Sequence, residues 1–164
     1  MDGDFEMSLK TKNKQRKADY TDLQFCMDRP LLKELEQARA EAAEAAAGRM
    51  TGGKTTRVKE LEKLIAEASV TIRVSSLPRG QYNELMLEHP PREGRDEVFN
   101  PETFFAAAAK ASAVEVTEKS TVPIHEEDWD EFVDGLTDGE YDRLAGAVVM
   151  LNRNQATVQI TPFG

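Results

Sequence analysis

The sequence predicts a mainly α protein with a small two-stranded β element, an α+β class made of a helical hairpin and a compact C-terminal helical region. Three observations carry this prediction. Two short runs, 23–27 and 70–74, alternate apolar and polar residues with the period of a strand. Between them lie two stretches of helical periodicity split by a glycine cluster. After Leu77 come four further helical stretches, most of them with a start or stop signal of their own.

Residues 1–20 have little apolar content and no periodicity, so they read as a disordered arm. Leu23, Phe25 and Met27 alternate with Gln24 and Cys26, and Val70, Ile72 and Val74 with Thr71 and Arg73. Each run is too short to stand alone, so the two are expected to pair. The first helix runs from about Pro30 to Ala47, with proline tolerated in the first turn and Leu32, Leu35, Ala42 and Ala46 as its stripe. The second runs from about Thr56 to Ala68, with Leu61, Leu64, Ile65 and Ala68 on one face. Gly48 to Gly53 breaks the pattern between them, which suggests an antiparallel hairpin.

Beyond Pro78, Tyr82, Leu85 and Met86 mark a short helix that ends before His89-Pro90-Pro91. Asn100-Pro101 starts the next helix, with Asn100 placed to accept from a free backbone N–H and Phe104, Phe105 and Ala108 opening the buried face. Residues 113–125 read as a linker. Trp129, Phe132, Val133 and Leu136 form another stripe, and Trp129 is the expected packing anchor. Thr137-Asp138-Gly139-Glu140 matches a capping box that opens a last helix bearing Tyr141, Leu144, Ala145 and Val148. Ala156 to Ile160 alternates and reads as a third short strand or a frayed end. The expected organisation is therefore an arm at 1–20, a strand–hairpin–strand region at 21–76, a helical region at 77–152 and a tail at 153–164.

Composition narrows the function classes. The chain has 164 residues, near the size of one domain, with a net charge of −9. No run of about 18 apolar residues is present to cross a membrane. Met1 to Phe5 is acidic and lacks the apolar stretch of a secretory signal, and one cysteine cannot form an internal disulfide. A soluble, intracellular protein is expected. The acidic balance disfavours general nucleic-acid binding, which needs surplus Lys and Arg. The charge is uneven: residues 89–140 hold fourteen acidic and four basic groups, whereas Lys10, Lys12, Lys14, Arg16 and Lys17 cluster in the arm.

Four constellations could carry chemistry. Gly48-Arg49-Met50-Thr51-Gly52-Gly53-Lys54-Thr55 fits G-x-x-x-x-G-K-[ST], the phosphate-binding loop that would make this a nucleotide-binding protein. That loop must follow a buried strand and open a helix. Here Glu41 to Ala47 is strongly helical, so a hairpin turn is the favoured reading. The run Glu126 to Glu131 lacks the interrupted spacing and central glycine of a calcium loop and suits a helix N-terminus. His89, His125 and Cys26 include no local ligand pair for zinc. Cys26 reads as a small buried hydrophobe rather than a nucleophile. No catalytic, cofactor or metal residues are assigned.

Leu77-Pro78-Arg79-Gly80-Gln81-Tyr82-Asn83-Glu84-Leu85, followed by Glu88-His89-Pro90-Pro91-Arg92, resembles a motif of tail assembly chaperones from long-tailed bacteriophages, particularly those of actinobacteria. Phe99-Asn100-Pro101-Glu102-Thr103-Phe104 is similar to that family's asparagine-led helix start. Leu136, Gly139-Glu140-Tyr141, Leu144 and Leu151-Asn152 are similar to its last helix. The resemblance spans roughly residues 21–152. It departs where Phe105-Ala106-Ala107 replaces Pro-Ala-Leu, and where Ser112-Ala113-Val114-Glu115 continues with Val116 instead of proline.

The resemblance implies a non-enzymatic role in the host cytoplasm during infection, with the chain absent from the mature virion. It implies the tape measure protein as partner, with the major tail protein as a further one, and no nucleic acid or membrane. A coiled-coil hairpin would also allow self-association. The family is often made in short and longer forms by a translational frameshift, and Gln155 to Gly164 is where the short form would end. The motif residues Tyr82, Leu85, His89, Pro90, Pro91, Phe99, Asn100, Pro101 and Phe104 carry a structural role in this reading, with His89-Pro90-Pro91 as a rigid corner. A structural tail or connector subunit is the alternative. The glycine-loop reading generates one test: the chain is expected to show no specific ATP or GTP binding in calorimetric titration, and micromolar affinity abolished by Lys54→Ala would contradict this.

Overall fold

The computed structural model describes residues 8–48 and 52–154. In chain order the elements are α1 (Leu9–Lys14), β1 (Tyr20–Cys26), α2 (Pro30–Ala47), α3 (Gly52–Glu67), β2 (Ser69–Ser75), α4 (Arg79–Glu88), α5 (Pro101–Lys110), β3 (Val114–Val116), β4 (Thr121–Pro123), α6 (Glu126–Asp134) and α7 (Asp138–Arg153). The class is α+β, but the expected two-stranded element is a four-stranded antiparallel sheet in the order β1-β2-β3-β4. β1 and β2 are neighbours, as their alternation predicts. The Met27 N–H donates to the Ala68 carbonyl at one end of this pair, and the Ser76 N–H to Asp19 at the other.

The additional strands come from residues read as a linker. Thr71, Ile72 and Arg73 pair with Val116, Glu115 and Val114, and these pair in turn with Thr121, Val122 and Pro123. The turn is closed by Thr117, whose N–H and hydroxyl both donate to the Ser120 carbonyl at 2.8 Å. Pro123 lies on the edge strand, where a missing N–H breaks no ladder bond. The arm also differs from expectation. Leu9–Lys14 forms a short helix capped by the Ser8 hydroxyl, and β1 begins at Tyr20, although every side chain from Ser8 to Tyr20 is exposed. The alternating run at 156–160 lies outside the described residues.

The chain divides into two compact units that interleave along the sequence, with boundaries inside β1, β2 and α7. Of the described residues, one unit comprises 8–21, 74–112 and 141–154; the other comprises 22–48, 52–73 and 113–140. The expected consecutive regions at 21–76 and 77–152 therefore do not coincide with the compact units.

In the second unit, α2 and α3 form the hairpin. Its core is Leu35, Ala38 and Leu61, with Leu31, Val58 and Ile65 packed against them. These positions alternate steps of three and four, the spacing of a coiled-coil seam. The seam differs from the predicted stripe: Leu32 and Leu64 are 46% and 43% exposed, and Ala46 is exposed as well. Arg39–Glu62, Lys54–Glu41 and Arg57–Glu34 ion pairs cross between the two helices at 3.4–3.5 Å. All six side chains are about half exposed, so the pairs favour register more than stability.

In the first unit, α4 ends at Glu88 before the two prolines, and α5 starts on Asn100 as expected. Its buried residues include Tyr82, Phe104, Ala108, Ala109, Leu144, Ala147 and Val148. Asn152 ties the end of α7 to the chain entering α4, accepting from the Leu77 N–H at 2.7 Å while donating to the Val148 carbonyl.

Truncating the seam separates the observed stripe from the predicted one. Leu61→Ala, at a site 1% exposed, is expected to cost about 2–5 kcal/mol in urea unfolding. Leu64→Ala is expected to fall within about 0.5 kcal/mol.

Candidate interaction site

Five of the motif residues, Tyr82, His89, Phe99, Asn100 and Phe104, come together in the first unit. Phe104 is fully buried, with the Tyr82 ring edge-on at 5.3 Å, His89 at 6.2 Å and Phe99 at 4.4 Å. Such edge and tilted contacts add to simple area burial. The Asn100 N–H donates to the His89 carbonyl at 2.9 Å, and the Asn100 side-chain oxygen accepts from the Glu102 N–H at 3.1 Å. Asn100 thus fixes the motif's two blocks together while capping α5. His89 Nδ1 lies 2.8 Å from the Thr103 hydroxyl. The Tyr141 hydroxyl donates to the carbonyls of Pro101 and Glu102 at 2.8 and 2.9 Å. Pro90 and Pro91 are exposed, and Leu85 is half-buried on α4.

One part of this corner was missed in the sequence. Arg92 donates from Nε and Nη2 to the two oxygens of Glu97 at 2.9 and 3.0 Å, and Nη1 lies 2.8 Å from Glu102. The Arg92 N–H also donates to Glu97. These bonds close the charged loop on itself and hold the Glu97 carboxyl down at about 2, while raising the Arg92 guanidinium further. The i, i+5 spacing of Arg92 and Glu97 was the available signal.

The second unit holds a different surface. β1 delivers Phe25, and the segment after it delivers Met27 and Arg29. From α6 come Trp129 and Phe132, which meet at 5.5 Å, while Phe25 stands edge-on to Phe132 at 5.1 Å. Trp129 is 2% exposed, the packing anchor the sequence predicts. Around these rings run two adjoining clefts of about 290 and 180 Å³, which share Met27, Asp128 and Phe132. Leu136 extends the apolar wall of the first, and Ile124 that of the second. Acidic groups form the rim: Glu131 and Glu140 at one cleft, Glu115 at the other, Asp128 at both.

Glu140 is already engaged. Its Oε1 accepts from Arg29 Nε at 3.0 Å, from Arg29 Nη2 at 2.6 Å and from the Thr137 N–H at 2.9 Å. The Glu140 N–H in turn donates to the Thr137 hydroxyl, completing the predicted capping box. Arg29 also reaches the Gly135 carbonyl at 2.6 Å. The Arg29 hydrogen bonds lower the Glu140 carboxyl below its ordinary range. Among the described residues, Glu115, Asp128 and Glu131 have no ion-pair partner.

The other sequence candidates fall elsewhere. Gly48 follows α2, not a strand, and the Lys54 ammonium pairs with Glu41 at 3.5 Å; residues 49–51 lie outside the described residues. Glu126, Glu127 and Asp128 occupy the first turn of α6, where the helix dipole favours them. The buried Cys26 thiol donates to the Asp28 carbonyl at 3.2 Å. No cluster of three metal-ligating side chains occurs among the described residues, and none of their helices is long and apolar enough to cross a membrane. No family model, curated protein or solved structure matches this chain.

The Arg92–Glu97 clasp has a pH signature. A carboxyl held at about 2 adds stability above its unfolded value, and that contribution is lost as pH falls through about 2. Carboxyl-carbon NMR is expected to give Glu97 a midpoint near 2. Arg92→Gln should return it toward the ordinary range of about 4.3; an unchanged midpoint would contradict the assignment.

Proposed function

We propose that this chain is a non-enzymatic tail assembly chaperone of a long-tailed bacteriophage, acting in the host cytoplasm on the tape measure protein. The carrying observation is the motif pair, His89-Pro90-Pro91 and Phe99-Asn100-Pro101, in this order and joined by the Asn100–His89 hydrogen bond around buried Phe104. In this reading the residues that carry the resemblance have a structural role.

Charge supports the reading. Residues 113–140 contain ten acidic groups and one lysine, which equals the entire −9 of the chain. A long helical partner prone to aggregate is kept in solution by a binder that offers apolar surface within a field of like charge. The Phe25–Phe132 clefts with their carboxylate rim have that composition. The coiled-coil hairpin offers a second surface for helical partners.

The test is co-expression with a tape measure fragment. The fragment is expected to remain soluble and to co-purify with this chain. A fragment that stays insoluble and unbound, while unrelated chaperones rescue it, would overturn the proposal. Mass spectrometry of mature particles should find no copy of this chain, and a stoichiometric amount there would favour a structural tail or connector subunit.

A further inference from the structure

Two surfaces of this chain carry opposite charges that are unpaired among the described residues. The first is the arm. α1 has six residues and none is buried. Isolated helices shorter than about 12 residues are marginal in water, and beyond its Ser8 cap this segment has no buried side chain to hold it. Leu9 is 79% exposed. Lys10, Lys12, Lys14, Arg16 and Lys17 have no ion-pair partner among the described residues. The second surface is the cleft pair at Phe25 and Phe132, with an apolar lining and the unpaired carboxylates Glu115, Asp128 and Glu131. Met27 stands across both clefts and is 55% exposed. Its unbranched, polarizable side chain adapts to an incoming apolar group.

We infer that the arm of one copy, Ser8 to Lys17, docks in the acidic cleft of a second copy, with Leu9 against Met27 and Phe132 and the arm cations on Asp128, Glu131 and Glu115. Charge complementarity selects this occupant. A neutral or acidic segment would cover three carboxylates without compensating them, which desolvation penalises. The arm supplies five cations within ten residues beside one exposed leucine. The contact joins two different surfaces, the arm of one copy and the cleft of another. It is also strongly screened by salt. The inference does not depend on the proposed chaperone role, since both surfaces belong to this chain.

Sedimentation velocity of the full chain tests it. Concentration-dependent association is expected at 50 mM NaCl, weakening at least about tenfold at 500 mM as the charges are screened. Lys10→Glu/Lys12→Glu/Lys14→Glu should abolish association, and so should Asp128→Lys/Glu131→Lys. An equimolar mixture of the two variants should associate again, because the reversed arm then meets the reversed cleft and the unchanged arm the unchanged cleft. A second readout uses the wild-type chain. A synthetic peptide of residues 8–17 should shift the emission of Trp129, the sole tryptophan, which lines the second cleft. A peptide with its lysines replaced by glutamates should not. A monomer at every concentration, association indifferent to arm reversal, a mixture that stays monomeric, or a silent Trp129 would each overturn the inference.

Discussion

Much of the second unit turns on one oxygen. Glu140 Oε1 collects Arg29 Nε, Arg29 Nη2 and the Thr137 N–H, while Arg29 also takes the Gly135 carbonyl. Arg29 precedes α2, Gly135 ends α6 and Thr137 starts α7. Three chain segments are therefore held by one charge-assisted cluster. The Glu140 side chain is 16% exposed, so the pair is less screened than an open surface bridge. Without it, the backbone between α6 and α7 would lose its anchor beside the first cleft. The same interaction neutralises one acid of the clefts, while Glu115, Asp128 and Glu131 have no ion pair among the described residues.

The two units divide the chemistry. The first packs aromatic edges around Phe104, beside the Asn100 cap and the Arg92–Glu97 loop. The second concentrates charge and apolar surface. Its hairpin has a narrow seam, and its sheet portion carries the acidic clefts.

What the sequence made legible follows from locality. α2, α4 and α5 were readable because proline, asparagine and the two prolines after His89 mark their ends within a few residues. The capping box at Thr137 was readable for the same reason. β3 and β4 were not: three residues each give no measurable period, and Pro123 argues against a strand until its edge position is known. The hairpin was found, with Leu35, Leu61 and Ile65 on its seam, but Leu32 and Leu64 were added to it, because Leu31-Leu32 and Leu64-Ile65 are adjacent apolar pairs and only the 3.5-residue period of a paired helix decides between them. The paired cleft escaped entirely. Phe25 and Phe132 are 107 positions apart, and Arg29 and Glu140 are 111 apart. Neither pairing leaves a local pattern. Trp129 was the only member of that surface announced by its type.

The claim that Arg29 organises the second unit is tested most directly by amide hydrogen exchange on Arg29→Met, which keeps the length of the side chain and removes its donors. Exchange at residues 135–140 is expected to accelerate at least about tenfold, the signature of local opening, while the amides of α4 and α5 keep their rates. Unchanged exchange at 135–140, or acceleration spread equally over α4 and α5, would contradict the account.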